Sequence, residues 1–134
     1  MSEENVELVR RIFSEYQELG LASFAEFMDP DIEFHTDPLV PEPGVYEGKE
    51  AVIAYMEGWI GTFKRFPIEL KEVIDLGDED VLMFTKIRGQ LAGQGAADTE
   101  LDWCVMNTIR GGKVTRIRSF FDRNRALEAA GLSE

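Results

Sequence analysis

The chain is short of the residues from which many sites are built. Among 134 residues there is one cysteine, Cys104, and one histidine, His35. A lone cysteine excludes an intrachain disulfide and gives no sign of an oxidising compartment. One histidine among scattered carboxylates shows no metal-ligand spacing, so neither a metal nor a cofactor is expected. Positive charge is scarce as well. Fourteen Lys and Arg stand against 26 Asp and Glu, a net charge of −12. Nucleic acid requires concentrated positive charge, and an anionic membrane surface repels such a chain. No apolar run approaches the roughly 20 residues of a membrane span, and the acidic start Met1-Ser2-Glu3-Glu4 has no apolar leader core. Internal repeats, low-complexity tracts and linkers are absent. The expectation is one cytoplasmic domain over residues 1–134.

What is present is a soluble globular composition, 44% hydrophobic and 30% charged. Val6, Val9, Phe13 and Tyr16 recur at helical spacing, which predicts an amphipathic helix over Ser2–Leu19 stopped by Gly20. Ser23-Phe24-Ala25-Glu26 has the capping-box pattern of a second, shorter helix, closed by Asp29-Pro30. Asp31–Thr36 alternates, with Ile32 and Phe34 on one face and Glu33 and His35 on the other. The proline-rich stretch Asp37–Gly44 reads as a mobile rim or lid. A long helix then runs from about Lys49 to Phe63, with Val52, Tyr55, Met56, Trp59 and Phe63 along one side. Gly58 and Gly61 within it suggest close approach by another element.

From Pro67 the period changes from helical to alternating. Ile68, Leu70, Ile74 and Leu76 mark a first long strand, and Val81–Leu91 a second. Leu101–Arg110 and Lys113–Phe121 follow, joined by Gly111-Gly112, the signature of a tight hairpin whose turn needs positive φ. Short connections make this meander antiparallel. Val81–Phe84 and Trp103–Met106 are apolar on both faces, so both faces of the sheet should be covered. Helices can cover one face. A second subunit is the simplest cover for the other, so a homodimer is expected.

Several local marks go further: Asp29-Pro30-Asp31-Ile32-Glu33-Phe34-His35, Tyr46-Glu47-Gly48-Lys49-Glu50-Ala51, and Gly112-Lys113-Val114 leading to Phe121-Asp122-Arg123. With the order helix, helix, strand, loop, helix and four strands, they resemble the SnoaL-like polyketide cyclase and ketosteroid isomerase branch of the nuclear transport factor 2 superfamily. The resemblance spans almost the whole chain. It implies a cone-shaped α+β fold: three N-terminal and middle helices on a curved, mainly antiparallel sheet, a short C-terminal helix, and a deep apolar pocket. It also implies cofactor-free isomerase, cyclase or dehydratase chemistry on a small hydrophobic carbonyl compound, or plain binding of a hydrophobic or aromatic molecule. By resemblance to the cyclases, Asp122 is the acid/base. By resemblance to the isomerases, the base falls on Thr36 or Asp37, of which Asp37 is the chemically sensible choice, but Phe13 stands where a catalytic tyrosine would be, and Cys104 near an aspartate position.

Each candidate also has a plainer role. Asp122 precedes a helix-like tail and is a good N-cap. His35 is a general base or a rim histidine. Asp37 begins a turn. Trp103 is a stacking wall or simply core, and the parity of Glu100 to Val105 leaves open which face lines the pocket. Arg118, sharing a face with Arg116, either neutralises an anionic group or belongs to a charged outer face. Phe13, Tyr55 and Trp59 complete the expected apolar lining.

Overall fold

A computed structural model of the chain describes residues 2–37, 43–60, 68–77, 79–89 and 99–132. The first helix, α1 (Ser2–Leu19), spans the whole expected stripe and ends at Gly20, whose φ of 85° no other residue type adopts cheaply. The second, α2 (Leu21–Ala25), starts two residues before the expected capping box. Ser23 does not cap it, because its hydroxyl donates to the Gly20 carbonyl instead. Strand β1 (Met28–His35) begins earlier than expected and runs through Pro30. The ladder to its neighbour is irregular between Met28 and Glu33, so the missing proline N–H costs nothing there.

Val45–Glu47, just after the stretch expected to form the rim, is a short strand β2 paired antiparallel with β1. The Thr36 hydroxyl accepts from Gly44 N–H at 2.8 Å, and Gly44 returns its carbonyl to Thr36 N–H. The expected mobile rim is therefore pinned at both ends, and its Pro38–Glu42 lie outside the described residues. Helix α3 (Lys49–Ile60) follows. Among the described residues, a Cβ built on Gly58 would meet nothing within 4 Å. Gly61 and Phe63 lie outside the described residues.

Strands β3 (Ile68–Gly77), β4 (Asp80–Gly89), β5 (Thr99–Arg110) and β6 (Lys113–Phe120) form the meander, and α4 (Arg123–Ala129) closes the chain. Gly111 and Gly112 take φ of 59° and 77°, as the hairpin turn requires. The sheet order is β2-β1-β6-β5-β4-β3, and among the described residues only the β1–β6 pairing is parallel. Helices on a six-stranded, mostly antiparallel, curved open sheet make this the nuclear transport factor 2-like fold. In β3 the register slips between Leu70 and Glu72. A bulge reverses parity, so Ile68, Leu70 and Val73 join one core while Ile74 and Leu76 join the other. Unbroken alternation would put Ile68, Leu70, Ile74 and Leu76, the residues that mark this strand in the sequence, on one face.

The two cores lie on opposite sides of the sheet. On the inner side α1, α2 and α3 pack against Val81, Met83, Val105, Ile109 and Ile117. On the outer side Leu82, Phe84, Cys104, Met106 and Phe120 are buried beneath Ala126 of α4. Here the expectation changes. The second apolar face is covered by the chain's own C-terminal helix, so the two-sided pattern does not require a partner subunit. No described helix is long and apolar enough to cross a membrane.

Candidate functional site

The inner core is not filled. Strand parity sends Trp103, Val105 and Asn107 of β5 inward, beside Met83 of β4, Ile117 of β6 and Phe34 of β1. Facing them, α1 presents Val9, Ile12, Phe13 and Tyr16, and α3 presents Met56. Between these walls lies a cavity of about 60 Å³, counted as the space open to the centre of a water-sized sphere. One water needs roughly 10–15 Å³ on that measure, so the hollow is of small-ligand size. Its walls are hydrocarbon and aromatic, interrupted by few polar groups. Asn107 is buried on the sheet side, with 6% of its surface exposed. Tyr16 stands on the helix side, and burial pushes its phenol above the ordinary value of 10.0, which keeps it a neutral donor. Among the described lining residues there is no carboxylate, imidazole, ammonium or guanidinium.

Trp103 is the most firmly held wall. Its indole Nε1–H donates to the Ser119 hydroxyl at 2.7 Å, and its carbonyl accepts from the Thr85 hydroxyl at 2.8 Å. Both hydroxyls are buried. Behind the indole lies a smaller hollow of about 10 Å³, lined by Phe34, Tyr55, Met56, Trp103, Ser119 and Phe121. Tyr55 is fixed there by stacking on Tyr46, with ring centroids 4.3 Å apart, and by a tilted contact with Phe34 at 5.2 Å.

Of the residues singled out from sequence, Phe13 and Trp103 line the main cavity, and Tyr55 lines the smaller one. Trp59 belongs to α3, and its side chain lies outside the described residues. The polar candidates gather on the other side of the sheet. His35 pairs in register with Arg118, and its Nε2 lies 2.9 Å from a Glu33 carboxylate oxygen, half-exposed. Arg118 packs its guanidinium 5.5 Å from the Phe120 ring centroid on that outer face. Asp122 is exposed and accepts from Arg125 N–H at 3.1 Å, capping α4.

Asp37 is the largest departure from expectation. Far from an exposed turn residue, it has 1% of its surface exposed. One oxygen accepts from Phe121 N–H at 2.7 Å and the other from Arg125 Nη1 at 2.6 Å. That hydrogen bond raises the Arg125 guanidinium pKa still further. The pair ties the end of β1 to α4 beneath the outer face, and Asp37 lines neither hollow.

Cys104 also faces outward, where burial first and the Asp102 carboxylate second push its thiol from 9.0 up to about 11, against a smaller opposing effect of Arg123. At neutral pH it is an inert thiol rather than a nucleophile. No three described His, Cys, Asp or Glu side chains converge as a metal site would need.

Asn107, Tyr16 and Ser119 are the site residues that sequence reading passed over. Asn107 had a signal: it shares parity with Trp103 and Val105, a polar residue within an apolar alternation. Tyr16 was hidden within a stripe that reads as core. Ser119 gave no signal, because only the fold brings it to the indole.

A family model described as a SnoaL-like domain matches residues 9–117. An uncharacterised protein of Mycobacterium tuberculosis is 25% identical over 126 residues, covering 93% of this chain and 94% of that one. Among solved structures, an NTF2-like protein from Burkholderia thailandensis superposes with a TM-score of 0.77 at 16% identity, covering 96% and 95% of the two chains. TerC, co-crystallised with polyporic acid, superposes at 0.73 with 18% identity, covering 95% and 98%. Identities this low show a common fold.

Proposed function

Starting from the chain's place in the SnoaL-like domain family, to which it belongs by the match over residues 9–117, we propose that it binds a small, uncharged, largely apolar molecule carrying one carbonyl or hydroxyl group. The observation that carries this reading is the chemistry of the cavity wall. Apolar side chains surround a void large enough for a ligand, and the polar groups supplied are the Asn107 amide, the Tyr16 phenol and an indole N–H already committed to Ser119. A carboxylate or ammonium entering such a site would lose its hydration and find no counter-charge among the described walls. A ketone, aldehyde or alcohol would lose little and could accept from Asn107 or Tyr16. TerC, a structure of the same fold, was co-crystallised with the small organic molecule polyporic acid.

Acid/base catalysis by Asp122, His35 or Asp37 remains the alternative within the family, and it requires one of them to reach a bound ligand. The placement of all three away from the lining favours binding over turnover. A cytoplasmic, dimeric protein is compatible with this reading, which depends on neither property.

Competition for a neutral fluorescent probe tests the reading. N-phenyl-1-naphthylamine should bind with enhanced emission, and 1-decanol and decanal should displace it. Near neutral pH, decanoate should be weaker by about tenfold or more. Equal displacement by decanoate, or no binding of the probe, would overturn the proposal.

A further inference from the structure

The two hollows share three residues, Phe34, Met56 and Trp103. These three therefore form the wall between them. Phe34 is strand-bound and packed on Tyr55. Met56 is a flexible thioether side chain. Trp103 has its side chain tethered by a hydrogen bond to Ser119, and its carbonyl also accepts from the Thr85 hydroxyl. We infer that Trp103 is a partition whose position, held by Ser119, sets the maximum length of the molecule the main cavity accepts, and that the hollow behind it is a latent subsite for the tail of a longer one. This rests on the reading of the cavity as a site for neutral apolar ligands.

The hydrogen bond explains why a serine sits in this wall. Ser119 is 3% exposed and lines the smaller hollow amid Phe34, Tyr55, Met56 and Phe121. A buried hydroxyl in such surroundings is costly unless it is partnered. The indole N–H has the same need, so each satisfies the other, and the ring is fixed across the passage. The cavity behind is about 10 Å³, close to the space of a single water. A ligand that fills the main chamber thus ends at the indole face. Removing the indole would join the two spaces, and releasing it would let the ring swing aside.

The test is the displacement of N-phenyl-1-naphthylamine by a homologous series of 1-alkanols from hexanol to tetradecanol. In the native protein, affinity should rise about three- to fourfold per methylene until the chamber is full, then level off. Trp103→Ala should move that break to a longer alcohol by several carbons. Ser119→Ala should move it in the same direction by less, while leaving the far-ultraviolet circular dichroism unchanged. A merely structural role for Ser119 would weaken every alcohol alike and leave the break in place. Should Trp103→Ala fail to fold, the Ser119→Ala series decides alone. An unmoved break in variants that still bind the probe overturns the partition and spares the binding site. Failure of the native protein to bind the probe overturns both.

Discussion

Strand β5 carries two different interiors on its two faces. Trp103, Val105 and Asn107 face a hollow, whereas Cys104 and Met106, between them in sequence, are buried beneath α4. Hydrophobicity does not distinguish the faces. What differs is the cover. On the outer side a seven-residue helix lays Ala126 flat on the sheet, with Arg123 over the Phe84 ring at 4.0 Å and the Asp37–Arg125 pair fixing its angle. A small side chain and two charged clamps let backbone and sheet approach closely, and neither described hollow lies on that side. On the inner side the cover is three helices bearing Phe13, Tyr16, Phe24 and Met56, whose bulk holds helix and strand apart. Large side chains in a curved sheet act as spacers. The same pleat therefore builds a binding chamber on one side and a structural lock on the other.

That contrast can be broken most directly by identical truncations on adjacent strands. Met106 lies on the packed face and Met83 lines the hollow, each almost fully buried. Met106→Ala should cost about 3 kcal/mol in urea unfolding, the usual figure for opening a cavity in a filled core. Met83→Ala should cost about half as much, because part of its surface already lacks partner atoms. Equal losses would mean that the hollow collapses in solution, and the two faces would then be alike.

A smaller effect tests how dry the outer face is. The Cys104 thiol ionises near 9.0 when exposed and near 11 in the fold. With its folded pKa raised, its contribution is fully present below about pH 9 and is lost as pH rises through about 11, because the unfolded chain releases its proton first. Relative to Cys104→Ala, the native protein should lose about 2 kcal/mol across that window. Parallel stability profiles would show that water reaches the outer core.

The smallest effect concerns the end of that face. Asp122→Asn should leave stability within a few tenths of a kcal/mol of native, and Asp122→Ala should cost about 1 kcal/mol, as expected of an N-cap. Neither should change probe binding on the far side of the sheet. If the Asn variant kept its stability but lost turnover of a molecule that the native protein converts, acid/base chemistry at Asp122 would replace binding alone.

Much of the fold is legible in the residues themselves. Helical spacing from Val6 to Tyr16 gives α1, the paired glycines at 111 and 112 give the last hairpin, and Asp122 before Arg123 gives the cap of α4. These are local preferences of φ, ψ and hydrogen bonding, and a few neighbouring residues suffice to state them. The residues of β5 likewise show that both of its faces are apolar and need cover. Only the tertiary structure decides which of them is hollow, because periodicity describes a surface and says nothing of what lies over it. The bulge after Leu70 reverses the parity of β3, a shift set by pairing with β4 rather than by composition. Asp37 reads as a turn residue until Arg125, 88 positions later, is brought 2.6 Å from it. Ser119 and Trp103 meet only because β5 and β6 pair, 16 residues apart, at the register that aims both side chains inward. Contacts of that span depend on the closure of the whole sheet, and it is these contacts that make the site.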